Sequence, residues 1–155
     1  LKKNKNFIKI KTINNITYYF YFILDNAFYK IILTYIIMIK YLKASIIYLA
    51  LDIFYVKTMS GHFNKLVKSI QGSDILFNMR AAIACYIILV FSINYFIIKD
   101  NRSILDAFLL GFVIYGVFDL TNMVLFKKWD LMISLMDMMW GGIVFASTTY
   151  LTYNL

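Results

Sequence analysis

The chain has no glutamate and no proline, and it carries a single cysteine (Cys85) and a single histidine (His62). One cysteine rules out an internal disulfide, and one of each is too few ligands for a zinc site of the usual kind. Cys85 falls in an apolar run, where a buried, inert thiol is expected. Without proline, helices run free of the ring clash that kinks them. The few glycines form no nucleotide-binding loop, and no metal or cofactor is expected. Charge is scarce too, at 15% of residues, where about 25% is ordinary for soluble domains. All acids are aspartate, 8 against 16 lysines and arginines, for a net charge of +8.

Apolar side chains are abundant: 62% of the 155 residues are hydrophobic and 19% aromatic, with a mean hydropathy of +0.72. A soluble fold of this size cannot hide that much apolar surface, and a bilayer removes the need to. The basic residues fall between apolar stretches, which suits lipid head groups better than nucleic acid. The expected partners are therefore the lipid bilayer and, at its surface, anionic head groups, with no nucleic acid.

Four stretches are long enough to cross a hydrocarbon core: 38–56, 79–98, 103–126 and 131–153. The expected fold is an all-α integral membrane bundle of four helices, 38–155, multi-pass in a cell, organelle or virion membrane. Links at 99–102 and 127–130 are short and demand antiparallel neighbours. The link at 57–78 is longer. Within it Phe63, Leu66, Val67 and Ile70 recur at helical spacing between Gly61 and Gly72. Two readings are open there, a short amphipathic helix in the head-group layer or a solvated loop. Lys57, Lys65, Lys68, Arg80, Lys127 and Lys128 lie on one side, and Lys40, Lys43, Lys99 and Arg102 on the other. The positive-inside rule places the first group, with the long link, in the cytoplasm.

Residues 1–37 are biased to Lys, Asn, Ile, Tyr and Phe, and no methionine precedes Met38. The bias is what AT-rich codons give. The favoured expectation is a protein that starts at Met38, with 1–37 an upstream extension. The alternative is a fifth apolar helix over 16–37, after the basic arm Lys2, Lys3, Lys5, Lys9 and Lys11.

Asp52, Asp119 and Asp137 lie inside apolar spans, where a carboxyl is costly unless protonated, paired or wetted. Counting from the links at 1.5 Å per residue, Asp119 is about 12 Å deep, Asp137 roughly 10 Å and Asp52 about 7–8 Å. All three depths are taken from one face, because alternate links share a side. Each acid sits on a polar or small stripe: Ser45, Tyr48, Asp52 and Tyr55; Gly111, Tyr115, Asp119 and Asn122; Ser134, Asp137 and Gly141. The expectation is a polar pocket in one leaflet lined by Asp52, Asp119, Asn122 and Asp137. Arg80 enters from the same face and Trp140 stands beside it. Asn94 and Asp106 lie toward the other face, Asp106 as an interfacial charge near Arg102.

A bland reading competes, since intramembrane Asp and Asn also bond helices together with no other role. Three acids at one level argue against glue alone, because they repel unless a proton or cation intervenes. Interface anchoring or packing competes for Trp140. Tyr48 and Tyr55 read as packing, and Gly141-Gly142 as a helix crossing. Ser134 has no nearby histidine base and makes a poor nucleophile.

Phe118-Asp119-Leu120-Thr121-Asn122, then Lys128-Trp129, then Asp137 and Trp140-Gly141 resemble the C-terminal half of a small membrane protein family, domain of unknown function 2177. Leu51-Asp52, with Tyr55 at an aromatic position, and Phe63 in the long link also fit. The resemblance covers Met38 to the end. Asp130 departs from it, where the family tends to proline, as does Arg80 in a normally small or apolar stretch. The resemblance implies a four-helix membrane protein of a kind found in bacteria, algae and large DNA viruses. With the AT-rich bias it points to a viral protein or a host relative. It carries no assigned activity; bacterial members often neighbour lipid-modifying genes. Three functions follow as expectations. The first is recognition or transport of a small polar or cationic species, or a lipid head group, gated by protonation of the acids. The second is a lipid-modifying enzyme with Asp119 and Asp137 as general acid and base. The third is a structural protein of a viral or organelle membrane.

Overall fold

The computed structural model describes the backbone of residues 2–155 and the side chains of residues 26–155. All regular elements of the described residues are helical, in the order α1 (Lys2–Gln71), α2 (Met79–Ile93), a π-turn (Asn94–Ile98), α3 (Ile104–Leu125) and α4 (Leu131–Asn154). It divides into two units, Leu1–Ile39 and Lys40–Leu155. In the first, residues 28–39 present exposed apolar side chains such as Phe28, Ile31, Tyr35 and Met38. Both the fifth helix considered over 16–37 and the span expected at 38–56 fall within α1.

The second unit holds the bundle. Its helix starts are written in the sequence. Asn78 accepts from the amide of Ala81 at the head of α2. Ser103 and Asp106 form a reciprocal capping box on α3, and Asp130 accepts from the amide of Ile133 on α4. Asp106 is thus a capping residue at the head of α3, outside the acid cluster. Asp130, the departure from the family's proline, gives α4 its N-cap.

The long link is shorter than expected. α1 continues for 15 residues beyond Val56, to Gln71, so 57–71 is neither a separate amphipathic helix nor a loop. Gly61 weakens a helix only slightly, and with no proline nothing else interrupts it. Leu66 is buried and Phe63 and Val67 are half-buried, so the apolar face covers protein. The helix stops at Gly72, whose φ of +80° suits glycine. Its amide bonds the Lys68 carbonyl at 2.9 Å. Asp74 then folds the link back onto α1 through Asn64 and Lys68.

Four described helices are long and apolar enough to cross a membrane: Asn26–Gln71, Met79–Ile98, Ile104–Leu125 and Leu131–Asn154. Ile87, Val117, Leu135 and Ile143 are among the apolar residues left outward, which fits lipid as the solvent. Cys85 is exposed on α2. This corrects the buried-thiol expectation: Cys85 shares the outward face with Ile88, three residues on.

α3 and α4 pack through glycine. A Cβ added at Gly111 would overlap the backbone carbonyl of Gly141, and one at Gly142 would sit 2.6 Å from the Phe108 ring. Small residues let the two backbones meet, as in other membrane helix pairs. Ala44, Tyr48, Ile93, Ala107, Val144 and Phe145 build the core beside this crossing.

Candidate functional site

The three acids are buried in the second unit: Asp119 is 0% exposed, Asp52 4% and Asp137 7%. α1 delivers Asp52 and Tyr55, α3 delivers Tyr115 and Asp119, and α4 delivers Asp137 and Trp140. Asp52 Oδ1 accepts two hydrogen bonds, from the Tyr115 hydroxyl at 2.8 Å and from Trp140 Nε1 at 3.1 Å. The Tyr115 hydroxyl is also 2.9 Å from that of Tyr48. Tyr86 on α2 lies within interaction range of Asp52. The Trp140 ring stacks on Tyr55, with centroids 4.4 Å apart and planes 8° from parallel. Stacking and N–H donation together fix Trp140 beside the acids.

Asp119 is held from the α3–α4 link. Trp129 Nε1 reaches back ten residues and donates to Asp119 Oδ1 at 3.1 Å. Asp119 Oδ2 has no hydrogen-bond partner. The Asp119 and Asp137 carboxyls lie within interaction range of each other, and Tyr55 adjoins Asp137. The Tyr55 hydroxyl likewise has no partner at hydrogen-bond length, with Asp137 its nearest acidic neighbour.

A cavity of about 290 Å³ opens against these residues. Asp52, Tyr55, Tyr115, Trp129 and Asp137 line it, with apolar side chains making up the rest, and no lining residue is basic. Among the described residues no group of His, Cys, Asp or Glu is placed to hold a metal ion.

Of the expected pocket residues, Asp52 and Asp137 share the cavity wall, with Asp119 beside Asp137 and Trp140 on Asp52. Asn122 is half-buried one turn beyond Asp119 and is not part of the wall; Arg80 is exposed at the first turn of α2. Sequence reading did not assign Tyr115 or Trp129 to the site. Tyr115 precedes Asp119 by four residues on one stripe, which was a usable signal. Trp129 sits in a link, where periodicity is silent.

The other end of the bundle has its own polar cluster. The Lys40 ammonium bonds the Ile98 carbonyl and Asn101 Oδ1 and lies 4.6 Å from the centre of the Tyr153 ring. Tyr153 in turn donates to the Arg102 carbonyl. Asn94 donates to Ser45 Oγ at 3.0 Å. These contacts absorb backbone carbonyls at the end of the π-turn.

No curated protein and no solved structure matches the chain. A family described as a predicted membrane protein, DUF2177, matches residues 37–154, which hold the whole acid cluster and its tryptophan donors. The chain belongs to the DUF2177 family of membrane proteins.

Proposed function

We propose that the protein binds and translocates a small cationic or polar species, or takes up a lipid head group, at the acidic cavity. One observation carries this reading. Two buried carboxyls, Asp52 and Asp137, face a single cavity with no basic residue in its wall. Buried acids without a cation are costly, and a cationic occupant offsets that cost. A carboxyl holds a cation only when ionised, so protons and ligand compete for the same groups. The titratable groups facing the site are Asp52 and Tyr55 of α1, Tyr86 of α2, Tyr115 and Asp119 of α3, and Asp137 of α4. Proton uptake by the acids therefore releases the ligand, and the affinity falls as pH falls.

The test is cation-driven proton flux in liposomes. Wild type is expected to show it, and Asp119→Asn and Asp137→Asn to lose at least tenfold while the protein stays folded. Flux unchanged in both variants would defeat the reading. The pairing of Asp119 with Asp137 supports a second reading, acid–base chemistry on a lipid. A change in vesicle lipid composition that needs both intact acids would favour it.

A further inference from the structure

Half of the residues that line the cavity are aromatic. Besides Tyr55, Tyr115 and Trp129, Phe63 of α1 and Phe118 of α3 face it, and Val56, Val67 and Ile75 complete the apolar surface. Against five rings stand two carboxyls, and one oxygen of Asp52 is already engaged by two donors. A hard metal ion needs six or more oxygen ligands or retained waters, which this wall does not supply. Nor does any described carboxylate cluster suit a metal. The volume, about 290 Å³, is about ten times the ~30 Å³ that one water occupies and lies near the lower edge of small-molecule sites.

Rings and carboxyls together suit a different cation. An organic ammonium spreads its charge over methyl or methylene groups, packs these on ring faces, and is attracted by the ring quadrupoles. It needs one anionic partner rather than a coordination shell. Asp137 is that partner by position. It is 7% exposed and lines the cavity, and the adjacent Tyr55 hydroxyl has no hydrogen-bond partner. The site also lies near a membrane surface, since its wall includes the link residues Ile75 and Trp129, within reach of head groups.

We infer that the ligand of this cavity is an organic ammonium of about the size of choline or ethanolamine, held by Asp137 and the rings of Phe63, Phe118 and Trp129. The inference rests on the cavity being the binding site proposed above, and names what it takes.

The chain has two tryptophans, Trp129 in the cavity wall and Trp140 stacked on Tyr55, so their fluorescence reports on the site. Purified protein in a maltoside detergent, which carries no amine, is titrated with tetramethylammonium, choline, sodium and calcium chlorides at constant ionic strength. A saturable change is expected with the two ammonium ions and not with sodium or calcium. Phe63→Leu and Asp137→Asn are each expected to weaken it at least tenfold. If sodium acts as strongly as tetramethylammonium, or Phe63→Leu has no effect while Asp137→Asn abolishes the response, ammonium recognition falls and the acidic-cavity reading stands. If no cation gives a saturable response, both fall. Repeating the titration in phosphatidylcholine and phosphatidylglycerol nanodiscs decides the source. Weaker apparent affinity in phosphatidylcholine marks the lipid head group as competitor, and equal affinity marks a free amine.

Discussion

Trp129 and Trp140 each commit their one polar hydrogen to a buried carboxylate, Asp119 and Asp52 respectively. The two acids differ in what remains. Asp52 keeps a second donor in Tyr115, whereas Asp119 Oδ2 has none. Trp129→Phe therefore strips Asp119 Oδ1 of its indole donor and is expected to cost about 1–3 kcal/mol, the usual penalty for a buried polar group left unpaired. Tyr115→Phe leaves Trp140 on Asp52 but strands the buried Tyr48 hydroxyl, and is expected to cost a similar amount, about 1–3 kcal/mol. Thermal unfolding of the detergent-solubilised variants checks both, each having a lower Tm than the unsubstituted protein. That Asp52, Asp119 and Asp137 gather at one end of the bundle was legible because hairpin topology fixes which acids share a side. The choice of donors was not. Helical periodicity gives the face on which Tyr115 lies, but a link residue such as Trp129 has no period to read.

At the scale of helices, two glycines make opposite predictions. Gly111 meets the backbone of Gly141, so Gly111→Ala forces α3 and α4 apart and is expected to cost about 1–3 kcal/mol, as overpacking does. Gly61 lies inside α1 with nothing within 4 Å of an added Cβ, so Gly61→Ala is expected to stabilise by roughly 0.5–1 kcal/mol through helix propensity. Tm measured on both variants tests the pair. Their difference also explains what the sequence disclosed about the elements. The glycines of α4 read correctly as a crossing because small residues recur on its polar stripe. Gly61 was taken as a boundary, yet one glycine costs a helix too little to end it when Phe63, Leu66 and Val67 continue the apolar face. The ends of α2, α3 and α4 were legible from Asn78, Ser103 and Asp130, whose side chains cap.

Across the whole molecule, four membrane-spanning helices in the described residues set a topology that labelling can test. In a Cys85→Ala background, single cysteines replacing Ser73 and Lys127 should react with an impermeant maleimide from the same side of a vesicle, and one replacing Asp100 from the other. The positive-inside rule predicts the cytoplasmic side for the first two positions, beside which Lys and Arg are in excess. Labelling of Ser73→Cys and Asp100→Cys from one side would refute the arrangement. Long apolar runs made the bundle plain from composition alone.

The π-turn at Asn94–Ile98 adds a constraint of another kind. Ile97 and Ile98 are almost fully buried at its end, and a wider turn carries them there. Inserting a residue ahead of Ile97, without a second widening, would rotate everything downstream by about 100°. That would swing both isoleucines outward and displace the carbonyl that Lys40 grips. Relatives that keep this bundle should therefore tolerate substitutions along the segment far better than an added residue.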